Sequence, residues 1–534
     1  METTATERRG PVLDVLRGLL SEGRDDEVLT LVRKLVARNS ELERRLAQIL
    51  VRGRKSEGIS SAQLRLLVDE LSPENEAALN EANDKLRKAS GIDTPKAEAG
   101  GESKTEPQRK QPPLRRPIPP ELPRVDNPIC VPEAQRPCPR CGAERTCIGH
   151  DVTEVIDIIP AQAIVRIDRR EKLACKSCEG ELVRAPLGDK VVAGGRLGAR
   201  LVSELLVDKY RDGLPLHREK QRLERLGLSL SVSTLGDQIT WATDLLLPLW
   251  RAALAAVLRA KVMHLDGTGL LVLDREAAGG KKLGALWGYV GDRDLAAIIY
   301  VSTGKKIGQQ PGEIGPEDML RLRRGYTVAD ASNLFDQSFQ REDLIECGCN
   351  MHARRYFVKA LDGGDTRAAL PLAAFKKLYE IEDQIRDRDV VDKRTERQAR
   401  SKPVYDELLS WCETHKPHEP PSSPLGAALR YLTNHKIALR RFLDDGVIPI
   451  DNGIVERLHV RTAMTRKNFL FAGSDAGGQR AAVAYTILAC CQLAEVNPVE
   501  YLADVLPRLM QPIRICDVPD LLPARWKNAR NPKA

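Results

Sequence analysis

The spacing of apolar positions sets out most of the chain's elements. KVMHLDGTGLLVLD, KLGALWGYVGD and LAAIIYVST are strand-like runs separated by GG and GDRD turn signals, which predicts an antiparallel meander. PEDMLRLRRG reads as a short helix leading to a fourth strand, YTVAD. A helix near Asn333 to Asp343 then leads to a fifth strand, DLIECGC, and to the helix MHARRYFVKAL. Upstream, residues 196–260 are mostly helical, and LHREKQRLERLGLSLSVSTLGDQITWATDLL reads as a helix, a turn at Gly227 to Ser231, and a second helix. Two readings fit that pair: a helix-turn-helix with Arg218, Lys220 and Arg222 on its first arm, or two helices of a bundle. Near the N-terminus Val28, Leu35, Leu42 and Ile49 recur every seven residues, with Leu31, Val32 and Leu46 in the neighbouring seam. That spacing suits a short coiled coil or an amphipathic helix packed on its own domain.

Three strands followed by alternating helix and strand is the order of a ribonuclease H-like α/β core. In that order Asp266 sits within the first strand and Asp330 ends the fourth, and these strands are neighbours, so their carboxylates can converge. A third acid from a later helix completes a cage for two hard cations, and Glu456 in DNGIVERLHVRTAMTRKNF is placed to be that acid. Oxygen ligands suit Mg²⁺. Two such ions can activate a water or a 3′-hydroxyl and stabilise the leaving oxygen. Arg457, Arg461, Arg466 and Lys467 around Glu456 are then contacts for the phosphates of the DNA that is cut; alternatively, Glu456 only opens a helix whose dipole favours an acid there.

Composition narrows the picture further. At 534 residues the chain has room for about three or four domains. No run of about 18 apolar residues appears, and METTATERRG lacks the apolar core of a secretion signal, so the expectation is a cytoplasmic chain with no membrane contact. The formal charge of +8 is modest, but the basic residues cluster at Arg109 to Arg124, Lys209 to Arg225, Arg321 to Arg324, His352 to Lys359 and Arg457 to Arg480. Separate patches of one sign suit a long polyanion such as nucleic acid. Prolines and basic residues in SKTEPQRKQPPLRRPIPPELPR read as a linker. Cys138 with Cys141 and Cys175 with Cys178 form two CxxC pairs flanking the strand-like EVIDIIP and AIVRIDRREKLAC. In a reducing compartment that spacing points to a structural Zn²⁺ held by four thiolates, with Cys130, Cys147 and His150 near enough to compete.

DNGIVERLHVRTAMTRKNFLFAGSDAGGQRAAVAYTILACCQLAEVNPVEYL closely resembles the C-terminal signature of the insertion sequence 66 family of DDE transposases, the TnpC type. GRKSEGISSAQL, RRPIPPELPR, the paired CxxC region, LPLHREKQRLERLGLSLSVSTL, MHLDGTG and CNMHARRYF resemble the same family in order. The resemblance implies a catalytic triad of Asp266, Asp330 and Glu456, with Mg²⁺ (or Mn²⁺) as cofactor. It also implies double-stranded DNA as partner, at transposon ends and target, with His352, Arg354 and Arg355 in a motif near that DNA; read from the residues alone, the three are equally an exposed basic first turn of a helix. The expected location is the bacterial cytoplasm, associated with the nucleoid. A homo-oligomer on DNA and accessory proteins belong to the same expectation.

With the resemblance, the expected fold class is multidomain α/β, a ribonuclease H-like catalytic core with a helical insertion. Residues 1–88 are the N-terminal helical segment with the coiled-coil spacing, 89–137 the Pro/basic linker, 138–190 the zinc-binding β module and 191–260 the helical DNA-binding domain. Residues 261–360 and 448–510 form the two parts of the core, 361–447 the insertion and 511–534 a C-terminal tail. The chain departs from the family in having Gly267 and Gly269 around Thr268, ASNLFDQ after Asp330, and Asn350 or Met351 where an aromatic residue precedes the HARR motif. The expected function is DNA cleavage at transposon ends and strand transfer into target DNA. The alternatives are a catalytically inactive, zinc-containing DNA-binding protein derived from a transposase, and a nuclease without strand transfer.

Overall fold

The computed structural model describes residues 77–91, 195–303, 312–330 and 334–530, with short stretches at 124–125, 133, 136, 139–140, 142–143, 162–173, 183–185, 191–192 and 308. The heptad segment at 28–49, EVIDIIP and Cys138, Cys141, Cys175 and Cys178 lie outside the described residues. The chain divides into two compact units, residues 94–164 and the remainder. The sheet and helices described below belong to the larger unit.

A five-stranded mixed sheet forms its centre. β1 (Val262–Leu273), β2 (Lys281–Gly291) and β3 (Leu295–Val301) are antiparallel, and β4 (Gly325–Ala329) and β5 (Leu344–Gly348) add in parallel beyond β1, giving the order β3-β2-β1-β4-β5. The GG turn signal carries real geometry, because Gly279 and Gly280 have φ of 79° and 70°, which L side chains rarely adopt. The sixteen described α-helices, in chain order, begin with α1 (Ala77–Ala89), α2 (Ala199–Tyr210), α3 (Leu216–Arg225), α4 (Val232–Leu245), α5 (Leu247–Arg259) and α6 (Pro316–Leu322). After β5 come α7 (Asn350–Asp362), α8 (Ala369–Gln384), α9 (Val390–Glu396), α10 (Lys402–His415), α11 (Pro424–Asn434) and α12 (Lys436–Arg440). The chain then returns through α13 (Gly453–Phe469), α14 (Asp475–Leu493), α15 (Pro498–Leu509) and α16 (Pro523–Arg530).

Alternation along the strands sends side chains to two faces. Met263, Leu265, Tyr289, Ala297 and Ile299 pack with Leu254 and Val257 of α5 and Met319 and Leu320 of α6. Leu270, Val272, Leu286, Val290, Ile298 and Tyr300 share the opposite core with α2, α13 and α14. The free edge of β3 is closed by α14: Ile298 N–H donates to Thr486 Oγ1 at 2.8 Å and Ala296 N–H to Cys490 Sγ at 3.4 Å. Such cover keeps an edge strand from pairing with another chain. α7 and the helices after it form a third core around Phe357, Phe375, Tyr405, Trp411 and Phe442, which Val262, Val328 and Cys347 of the sheet share and against which α1 docks through Ala82 and Leu86, with Trp411 Nε1 donating to Asn83 at 2.7 Å.

Several local expectations change. Residues 334–343 contain turns and a 3₁₀ stretch, Ser338–Gln340, and no α-helix. Phe335 is buried there against Trp287 in an edge-on contact at 5.5 Å, so one aromatic anchor fixes the segment where a helical stripe was expected. Of AIVRIDRREKL, only Lys172–Leu173 is strand, paired with Val183–Arg184. The segment read as a tail folds back, with Trp526 buried and its Nε1 donating to Asp504 at 2.8 Å. Among the described residues no single helix is long and apolar enough to cross a membrane.

Candidate active site

Asp266 is the fifth residue of β1. Because Met263 and Leu265 point to the α5 face, alternation turns Asp266 toward α13. Asp330 directly follows the last residue of β4. The parallel ladder pairs Met263 with Thr327 and His264 with Val328 and ends there; two residues further along each segment, Asp330 is close enough to Asp266 for its charge to raise that carboxyl. Neighbouring strands lie about 4.8 Å apart, which brings the two acids into one electrostatic environment. Glu456 enters from the first turn of α13.

The two ends of α7's first turns complete the cluster. His352 stands between the second and third acids, with Nε2 3.8 Å from Asp330 Oδ2 and Nδ1 3.5 Å from Glu456 Oε1. Arg355 donates to Glu456 Oε2 at 2.7 Å. Burial pushes the Asp266 carboxyl up to about 7, and the negative charges of Asp330 and Glu456 add to the push. The Gly267 N–H, donating to Asp266 Oδ1 at 2.8 Å, and the Arg355 guanidinium oppose it. Glu456 Oε1 is buried and accepts no hydrogen bond. Three carboxylates that repel one another and a buried acceptor without a donor fit a hard divalent cation such as Mg²⁺ or Mn²⁺. Cys349, His352 and Glu456 also offer donor atoms within 4.8 Å of one another. Burial, however, holds the Cys349 thiol up at about 12, and its sulfur accepts the Asn452 N–H at 3.2 Å, so it is a protonated core thiol.

The predicted DNA contacts separate into two groups. Arg457 and Lys467 are exposed on α13. Arg461 and Arg466 are half-buried: burial lowers the Arg461 pKa, and Arg466 Nη1 donates to the Gly269 carbonyl. Arg354 is half-buried on α7, while His352 and Arg355 sit among the acids. The glycine-rich run before α14 is a capped turn: Ser474 accepts from Gly477 N–H at 3.1 Å, and Asp475 is held by Tyr300 Oη and Lys282 Nζ, each at 2.7 Å. A negative partner is thus already in place at that helix start.

Sequence reasoning missed the polar residues that hold the acids in place. Asn452 is fully buried, and His459 Nε2 donates to the Asp266 carbonyl at 3.1 Å. Gly288 makes room for that imidazole, since a Cβ there would lie 2.9 Å from His459 Nε2. Asn350 Nδ2 donates to the carbonyls of Leu439 at 2.9 Å and Ile450 at 3.1 Å, tying α7 to the segment that enters α13. DN ahead of a helix is a cap-like signal, but here the Asn452 side chain makes no cap and turns to β1 instead.

A mixed sheet with one acid within its central strand, a second just past the end of the neighbouring parallel strand and a third on a helix marks a mixed α/β protein with an acidic, metal-competent centre. Residues 194–480, more than half of the chain, match the family described as Transposase IS66 family, and the chain belongs to that family. Residues 135–179, which include all four CxxC cysteines, match the zinc-finger binding domain of transposase IS66, which supports a role for Zn²⁺. Residues 31–126 match a domain described as Transposase C of IS166 homeodomain. Three proteins of Sinorhizobium fredii, each named only as uncharacterized, are similar over most of their length. y4hP is 30% identical across 78% of both chains, and y4jD is 31% identical across 77% of this chain and 81% of its own. y4qI is 28% identical across 89% and 87%.

Proposed function

We propose that the chain is an active transposase, which cuts DNA at the ends of a mobile element and joins the freed 3′-hydroxyl to target DNA. The observation that carries this reading is that Asp330 and Glu456 meet at His352, with Asp266 close enough for the charge of both acids to raise its carboxyl and with Glu456 Oε1 buried and undonated. The strand order β3-β2-β1-β4-β5, with acids on β1, after β4 and on the later helix α13, supports a ribonuclease H-like catalytic core interrupted by a helical insertion at 361–447.

In this reading the three carboxylates hold Mg²⁺ or Mn²⁺, which supplies Lewis-acid activation of the attacking oxygen and stabilisation of the leaving one. Arg355 restrains the Glu456 carboxylate through its 2.7 Å contact. Exposed Arg457 and Lys467 take backbone phosphates, positioning the duplex without reading its bases. Hydrolysis and strand transfer are both in-line displacements at phosphorus, so one site serves both, and no side chain needs to become covalently linked to DNA. Four thiolates from Cys138, Cys141, Cys175 and Cys178 bind a structural Zn²⁺, and the homeodomain-like match at 31–126 adds DNA contact ahead of the core.

The test is a labelled duplex carrying an element end. The wild-type chain with Mg²⁺ yields a nick at a defined position and, with target DNA, a joined product. Nicking without joining would make it a nuclease. Binding without either would make it a DNA-binding derivative.

A further inference from the structure

We propose that Asn452 is a positioning residue that locks the first turn of α13, and so Glu456, to the backbone of β1 beside Asp266. This rests on the reading of the acids as metal ligands. Asn452 Nδ2 donates to the Leu265 carbonyl at 2.8 Å. A carbonyl can only accept, so the amide must turn its NH₂ that way, which leaves Oδ1 facing His264 Nδ1 at 2.9 Å. His264 therefore carries its proton on Nδ1 and donates it. The Asn452 N–H donates to Cys349 Sγ at 3.2 Å, three residues ahead of His352.

One buried side chain thus touches β1 on either side of a single peptide, and its backbone touches the junction of β5 and α7. The location explains the need. The ladder between β1 and β4 ends at His264 with Val328, so strand pairing with β4 does not fix Leu265 or Asp266. Asn452 takes the Leu265 carbonyl, and His459, two turns along α13, takes the Asp266 carbonyl. Glu456 lies between these two contacts on the same helix, so its distance from Asp266 is set by fixed hydrogen bonds.

The test measures Mn²⁺ binding to the full DNA-free chain by electron paramagnetic resonance, alongside the metal dependence of end cleavage. Asn452→Ala should weaken Mn²⁺ binding roughly tenfold to a hundredfold, the usual effect of losing a group that orients metal ligands. The metal concentration for half-maximal cleavage should rise in step, end binding without divalent metal should stay unchanged, and saturating Mn²⁺ should restore the rate. A merely unfolded chain would not show that rescue. The paired variant His264→Phe with Asn452→Leu removes the two side-chain partners together and leaves one acceptor, the Leu265 carbonyl, without its donor, so it costs less stability than stranding His264 as well; where circular dichroism shows it folded, it should show the same loss. Mn²⁺ affinity within about twofold of wild type in both folded variants overturns the proposal. A wild-type chain that binds no Mn²⁺ overturns the underlying reading instead, and the two failures are told apart by the wild-type control.

Discussion

Gly267 stands directly opposite Trp287 in the β1 and β2 ladder, and a Cβ there would come within 2.6 Å of the indole ring. The glycine next to Asp266 thus has a packing reason: the ring covers the backbone on the side away from α13. Gly267→Ala should lower stability by about 1–3 kcal/mol, the cost of overpacking, as read by urea denaturation. Asp266 makes a prediction in pH. Its carboxyl is raised to about 7 from an ordinary 3.8, so the native state holds the proton more tightly than the unfolded one. Its contribution to stability is therefore full below that lower value and is lost as pH rises toward 7 in the absence of metal. A shift of this size is worth on the order of 4 kcal/mol. With EDTA present, the wild-type chain should lose stability relative to Asp266→Asn between about pH 4 and pH 7. Denaturant midpoints that change in parallel would contradict the burial argument. Asp266 stands out in the sequence because a carboxylate inside a strand pattern is rare, whereas Asn452 and His459 do not. Nothing local marks a polar residue as buried until its partners on another element are known.

Among elements, the two acid-bearing strands are joined by an arginine that composition alone places on the surface. Arg323 belongs to the Arg321 to Arg324 cluster read as part of a polyanion surface, yet it is buried. Its guanidinium donates to the carbonyls of Leu258 at 2.9 Å, Lys261 at 3.0 Å and Tyr326 at 2.7 Å, and also to Ala260. It therefore binds the end of α5 and the start of β1 to the start of β4. Desolvation lowers its pKa to about 10, which still leaves it charged at neutral pH. Arg323→Met should cost on the order of 3 kcal/mol or more, because several buried carbonyls lose their donor; a change under about 1 kcal/mol in denaturant unfolding would refute this role. Arg397 does similar work in the insertion, donating to the carbonyls of Phe442 and Ile448 at 2.8 Å each and to Glu382. The five strands of the sheet are legible because alternation and turn residues are local signals. The 334–343 connection is not, because its shape depends on Phe335 meeting Trp287 across the sheet.

At the scale of the whole molecule, the proposed chemistry and the proposed structural metal fall in separate parts of the sequence, with acids at 266, 330 and 456 and thiols at 138–178. Purified chain should therefore carry one Zn²⁺, lost in Cys138→Ser or Cys175→Ser as measured by elemental analysis, while the sheet at 262–348 keeps its secondary structure by circular dichroism. The charged runs of the insertion show in the sequence as helices. That they build a core shared with Val262, Val328 and Cys347 of the sheet, with α1 docked on it, is visible only in three dimensions. The central claim is that three acids remote in sequence act as one metal-dependent site. The most direct measurement is cleavage of a labelled element-end duplex by wild type, Asp266→Asn, Asp330→Asn and Glu456→Gln across a Mg²⁺ titration. The account predicts a metal-dependent 3′-hydroxyl product from wild type alone, with all four proteins binding the duplex. Undiminished cleavage by any of the three variants, or cleavage by wild type in EDTA, would contradict it.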